Sequence, residues 1–348
     1  MKKKSISFSL TAKIAAVALW SNVFSAQAMA EASLNSASPS LKMTAPVSSL
    51  SVYEIPSELK SQLDQSVNLA NFGDIRFRAP LVGNTGPVIA LFHGVYGGVS
   101  HRAFRELLPR LDAAGARVFI MDLPGVGESA QPKRIYDMAA LDLFMENFLK
   151  EVVKEPSFVV AESLLTANAL KVSAQSPELF KGLILISPTG IKTLATPGTK
   201  QQEELFQHVY GDETAGKLFY DGLLTDASIQ FYLKKAYYDD SLVTHLLIQE
   251  SALARETPDQ RWLTFSFVGG KLYRPFSEAQ AGVTRPVLAI FGDRAEPVGS
   301  DPAAVESAIE FQALRPDFQY LVVPEAGGSV HREKPDVVAQ AILNFIAP

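Results

Sequence analysis

The chain has 348 residues and a formal net charge of −5, so no basic field draws it to nucleic acid or to an anionic membrane. Its 47% hydrophobic and 20% charged residues are those of a globular protein with a sizeable core. The absence of cysteine excludes disulfides, thiolate nucleophiles, cysteine-ligated zinc and a lipoprotein anchor.

The N-terminus, MKKKSISFSLTAKIAAVALWSNVFSAQAMAEAS, has a basic start, an apolar run from Ile14 to Phe24, and small residues at Ala26, Ala28 and Ala30. This is the pattern of a secretory signal peptide over residues 1–30, cleaved after Ala28 or Ala30. The apolar run is too short to cross about 30 Å of hydrocarbon as a helix. The expected mature protein is exported, periplasmic if the cell is Gram-negative and otherwise secreted, with no stable membrane anchor. Residues 31–51 are rich in Ser, Ala and Pro without periodicity, which predicts a flexible linker.

The stretch IPSELKSQLDQSV predicts a short helix with Ser57 as its cap. Strand-like runs follow: DIRFRAP, PVIALFHG, RVFIMDLPG, SFVVAES, KGLILISPTG, RPVLAIFGD and FQYLVVPEAG. Several are continuously apolar, as strands buried on both faces are. Helical patterns such as HRAFRELLPRLDAAG and ALDLFMENFLKEVVKE alternate with them. The expectation is an α/β fold with a mostly parallel central sheet flanked by helices, over 52–190 and 282–348. Residues 191–281 break the alternation with a helical, aromatic segment, read as an inserted cap. Phe206, Tyr210, Phe219, Tyr220, Phe231, Tyr232, Trp262 and Phe265 either line an apolar pocket beneath that cap or form its own core.

The five histidines, His93, His101, His208, His245 and His331, show no i, i+4 pair, so no metal site is expected; no other cofactor is expected either. The stretch FVVAESLLTANAL reads as a buried strand, a tight turn tipped by Ser163, and a helix. Taken with LFHG at Leu91–Gly94, MDLPGVGES at Met121–Ser129, SPELFKGLILISPTG, VLAIFGD and LVVPEAGGSVHREKPDVVAQAILNFI, it resembles the α/β-hydrolase superfamily in motif and in order. The resemblance runs from about Gly73 to the C-terminus. It implies Ser163 as nucleophile, the N–H groups of Val95 and Leu164 as oxyanion donors, and His93 as a structural residue of its loop.

Three positions depart from the family pattern. The elbow reads Ala161-Glu162-Ser163-Leu164-Leu165 where G-x-S-x-G is usual. Ala295 occupies the expected acid position, leaving Asp293 or Glu296 as the candidate acid. Gly328 occupies the expected histidine position, and His331 is three residues later. Two functions fit. The first is an exported serine hydrolase of a small apolar carboxylic ester or related acyl compound, with Ser163 attacking, His331 as base and Asp293 or Glu296 as acid. The second is a catalytically impaired hydrolase-fold protein that binds an apolar ligand or acts as an accessory protein.

Overall fold

In the computed structural model, the central feature is an eight-stranded sheet in the order β1-β2-β4-β3-β5-β6-β7-β8. The structure describes residues 55–347 apart from 192–193, 197, 207–211 and 295–303. The expected signal peptide and linker therefore lie outside the described residues, as do Tyr210, His208, Ala295 and Glu296. The strands are β1 (Gln65–Leu69), β2 (Gly73–Arg78), β3 (Val88–Phe92), β4 (Arg117–Met121), β5 (Ser157–Glu162), β6 (Phe180–Ile186), β7 (Val287–Gly292) and β8 (Gln319–Val323). β1 and β2 pair antiparallel, β2 joins β4 antiparallel, and every pairing from β4 onward is parallel.

Each expected strand run forms a strand. The predicted short helix does not form. A 3-10 turn occupies Ser57–Leu59, and Gln65–Leu69 is instead the edge strand β1. Pairing decides it: Gln65 to Leu69 lie opposite Phe77 to Gly73, which buries Leu69 and half-buries Val67 while Ser66 and Asn68 face solvent.

Alternation along the parallel strands divides the core into two layers. One face carries Ala90, Phe92, Val159, Ala161, Leu183 and Leu185, packed on α2 (Met138–Phe148) and α3 (Leu165–Gln175). The other carries Ile89, Leu91, Val160, Ile184 and Ile290, packed on α1 (Leu108–Ala113) and on the C-terminal helices α11 (Val330–Glu333) and α12 (Pro335–Ile346).

Between β6 and β7 the chain is helical: α4 (Lys200–Leu205), α5 (Ala215–Leu223), α6 (Asp226–Ala236), α7 (His245–Ala252), α8 (Arg261–Val268) and α9 (Phe276–Ala279). Another helix, α10 (Ala304–Leu314), precedes β8. The inserted helices form the cap. Phe206, Tyr220 and Phe265 are buried with Leu224, Ile229, Ile248 and Ala254 in a cluster of the cap's own, with Phe219 and Trp262 packed against it. Most of the aromatic residues singled out from the sequence therefore hold the cap together. Among the described residues, no helix is long and apolar enough to cross a membrane.

Candidate functional site

Ser163 directly follows β5 and has φ 52°, in the left-handed region that costs an L-residue about 1–2 kcal/mol. The turn is held on both sides. The Ser163 N–H donates to the Ile186 carbonyl at 2.9 Å, and the Thr166 hydroxyl donates to the Ser163 carbonyl at 2.6 Å. Leu164 caps α3, so its N–H belongs to the first turn, where backbone donors have no carbonyl partner within the helix. Ser163 itself is half-buried, between buried Glu162 and buried Leu164.

Leu165, where the family usually has glycine, is fully buried in the layer that also holds Ala161 and Leu185. Its side chain is core packing at the start of α3.

The loop after β3 lies against this turn. A Cβ added to Gly94 would meet Ser163 Cβ at 3.2 Å and the Glu162 carboxyl at 3.4 Å, so glycine allows the approach. The Gly94 N–H donates to Glu162 Oε2 at 2.9 Å, which fastens the loop to the elbow and sets Val95 beyond it. His93 serves the same loop. Its Nδ1–H donates to the Gly94 carbonyl at 2.8 Å, and its Nε2 accepts the Leu123 N–H at 3.2 Å. Burial lowers its pKa and keeps it neutral, as this bonding needs.

His101, Asp122 and Glu128 carry possible metal-ligand atoms within 4.8 Å of one another. The Asp122 oxygens already accept the N–H groups of His101 and Glu128 and the His101 ring. Burial works to raise the Asp122 carboxyl, but the His101 charge and hydrogen bond hold it at about 2. This group braces the turn after β4 against the loop after β3.

His331 is fully buried, on the same sheet face as Glu162. Its Nε2–H donates to the Ala103 carbonyl at 3.0 Å, its ring lies 5.3 Å from Phe104, and Nε2 is 3.9 Å from Glu162 Oε1. Nδ1 has no hydrogen-bond partner among the described residues. Burial, then the adjacent Arg332 charge, pushes its pKa down to about 3. Gly328, at the expected histidine position, accepts the Ser187 hydroxyl through its carbonyl at 2.7 Å. Ser187 too has a positive φ, 47°. Asp293 Oδ1 accepts the Ala326 N–H at 3.3 Å, so this carboxylate braces the start of the histidine loop.

The structure thus brings Ser163, Leu164, Gly94 and Val95 to one place and puts the His331 imidazole on the Ala103 carbonyl. Sequence reading did not single out Glu162. Its carboxyl is buried between Gly94 and His331, and burial raises its pKa, opposed by the Gly94 N–H and Arg332. Tyr96, on the same loop, is pushed well above its usual range by burial and by Glu162. The signal available was a charged residue ending an otherwise apolar strand run.

The cap closes over this place. A Cβ on Gly98 would lie 2.5 Å from the Ser251 carbonyl of α7, so the loop after β3 and the cap touch backbone to backbone. Glu250 of α7 forms a bidentate pair with Arg332 at 2.8 and 3.0 Å. Arg105 joins Glu250 at 3.1 Å, and Glu106 joins Arg332 at 3.2 Å. The cap segment after α6 also binds the histidine loop, with the Ala236 carbonyl accepting the Ser329 N–H and the Tyr238 N–H donating to Glu333.

Comparison with known proteins agrees with this architecture. A family model described as alpha/beta hydrolase fold matches residues 87–335. The 2-(acetamidomethylene)succinate hydrolase of Mesorhizobium japonicum is 25% identical over 75% of this chain and 88% of its own. The 2-hydroxy-6-oxo-6-(2'-aminophenyl)hexa-2,4-dienoic acid hydrolase of Metapseudomonas resinovorans is 25% identical over 83% of this chain and 93% of its own. A serine hydrolase involved in carbazole degradation superposes with a TM-score of 0.64 at 20% identity, covering 81% of this chain and 97% of that one. Fold and relatives are those of hydrolase enzymes.

Proposed function

Because this chain belongs to the α/β-hydrolase family, we propose that it keeps the family's acyl-binding apparatus at Ser163 with no base positioned beside it among the described residues, so that it binds a small apolar acyl compound with catalysis impaired. The observation that carries this reading is the bond from His331 Nε2–H to the Ala103 carbonyl. A serine hydroxyl is essentially un-ionised at neutral pH and needs a base to attack. A neutral ring with pKa near 3, committed to a carbonyl acceptor, does not supply one. The N–H groups of Leu164 and Val95 still offer donors to a carbonyl oxygen, and such donors with binding alone give about 10³–10⁴-fold catalysis over water. The N-terminal pattern supports export of the mature protein.

A second reading, an ester hydrolase, is favoured by the backbone strain kept at Ser163 and by the hydrolase names of the relatives. In it Ser163 attacks an apolar carboxylic ester, His331 becomes the base after the loop refolds, and Asp293 or Glu296 orients the ring.

One experiment separates them. Hydrolysis of p-nitrophenyl butyrate and labelling by a fluorophosphonate are compared in wild type, Ser163→Ala and His331→Leu. Calorimetric binding of the ester is compared in wild type and Ser163→Phe. The first reading expects saturable binding lost in Ser163→Phe, and turnover in His331→Leu equal to wild type. A drop of about 10²-fold or more in folded His331→Leu overturns it in favour of the second.

A further inference from the structure

We propose that the cavity between the end of α6 and the turn after β7 is a binding site for an aromatic carboxylate, with Arg294 as its anchor. The cavity measures about 480 Å³, within the range of small-molecule sites. Its walls carry the rings of Phe231, Tyr237 and Tyr238, and among the described residues its charged groups are Lys234, Lys235, Arg294 and Asp240. Neither Ser163 nor the donors of Val95 and Leu164 line it, so the site is independent of the acyl-binding reading.

The charges are not equivalent. Lys234 pairs with Asp240 at 3.0 Å. The Arg294 guanidinium lies 4.9 Å from the Tyr238 ring centre, and no carboxylate among the described residues pairs with it. An arginine stacked on an aromatic face keeps its edge donors free, and that planar fork matches a carboxylate in two parallel hydrogen bonds. Three aromatic rings offer faces and edges to a flat apolar body.

The rings stand on a fixed backbone. The Tyr237 N–H closes α6 on the Leu233 carbonyl at 3.0 Å, and the Tyr238 N–H is held by Glu333 at 2.8 Å. The Ala236 carbonyl at the helix end is taken by Ser329, so it does not face an incoming anion unpaired. Asp240 is offset by Lys234, so the rings set the class of ligand: inorganic phosphate has no apolar body to lie against Phe231, Tyr237 and Tyr238, whereas an aromatic carboxylate meets both the rings and Arg294.

The test is titration of the whole mature chain with sodium benzoate, benzamide and inorganic phosphate, followed by calorimetry and by saturation-transfer NMR. Benzoate is expected to bind saturably with one site, and benzamide and phosphate at least about tenfold more weakly. Arg294→Gln should weaken benzoate about tenfold, and Tyr238→Leu should also weaken it. Ser163→Phe should leave it unchanged. The proposal is overturned if benzoate does not bind, if both Arg294→Gln and Tyr238→Leu bind it as wild type does, or if phosphate binds as tightly. Loss of benzoate binding in Ser163→Phe also overturns it, since the ligand then sits before the elbow.

Discussion

The Nε2–H of His331 donates to the carbonyl of Ala103, at 3.0 Å, on the sheet face that carries Glu162 and beneath the elbow that carries Ser163. That bond gives the imidazole a structural task and fixes its tautomer. It also makes the ring's protonation a matter of stability.

The His331 pKa falls from 6.5 to about 3 on folding, mainly through burial. The unfolded chain therefore binds the proton more tightly, and the stability contributed by the neutral ring is present above 6.5 and lost as pH falls toward 3. The loss approaches ~1.4 kcal/mol per pH unit within that window. His331→Leu should abolish this acid-side slope, so that it costs ~1–3 kcal/mol near pH 8 for the orphaned Ala103 carbonyl and the difference from wild type shrinks or reverses toward pH 4. Urea denaturation of both proteins from pH 4 to 8 reads the difference.

Glu162 titrates with the opposite sign. Its folded-state pKa is raised above 4.5 by burial, so the folded chain binds the proton more tightly. Its contribution is complete below 4.5 and lost as pH rises through the folded value. Glu162→Gln keeps an acceptor for the Gly94 N–H and removes the slope, so it should match wild type in acid and exceed it at neutral pH. Glu162→Ala should lose ~1–3 kcal/mol by leaving that N–H buried and unpaired. A stability difference between wild type and Glu162→Gln that does not change with pH sinks this account.

Ser163 should be a rare position where glycine stabilises. The left-handed φ of 52° costs serine about 1–2 kcal/mol, and glycine escapes it at the expense of a freer unfolded chain. Ser163→Gly is expected to gain about 0.5–1 kcal/mol net, a rise of about 2 °C in Tm, while Ser163→Ala gains nothing. Parallel thermal melts of the two variants check it.

The Arg332–Glu250 pair tests how the cap is held. Both side chains are about 5% exposed, at 6% and 5%. Removing one leaves the other's charge buried, which costs about 3 kcal/mol. Arg105 and Glu106 soften the loss, since each keeps one member of the pair company. The double variant Arg332→Met/Glu250→Leu should recover much of the loss in either single variant. Limited proteolysis should cut the cap faster in the single variants than in the double.

From residues alone, the seven main strands and the place of Ser163 could be read. Strand runs buried on both faces are apolar throughout, and turn residues punctuate them. The edge strand Gln65–Leu69 is not legible as a strand in the sequence, because an edge is half exposed and its pattern is short. Pairing with Gly73–Phe77 decides it. The departures at Leu165, Ala295 and Gly328 were also visible in the chain. Sequence could not say where His331 points, because a ring three residues past its usual position can face either layer. The answer depends on Ala103, 228 residues away, whose carbonyl holds it. The same holds for Arg294: its neighbours Phe231 and Tyr238 come from the cap and meet it only when helix and sheet have folded together. Local pattern determines which segments become strand or helix, since that follows from nearby periodicity. Which polar groups meet depends on distant segments packing, and only the tertiary structure decides it.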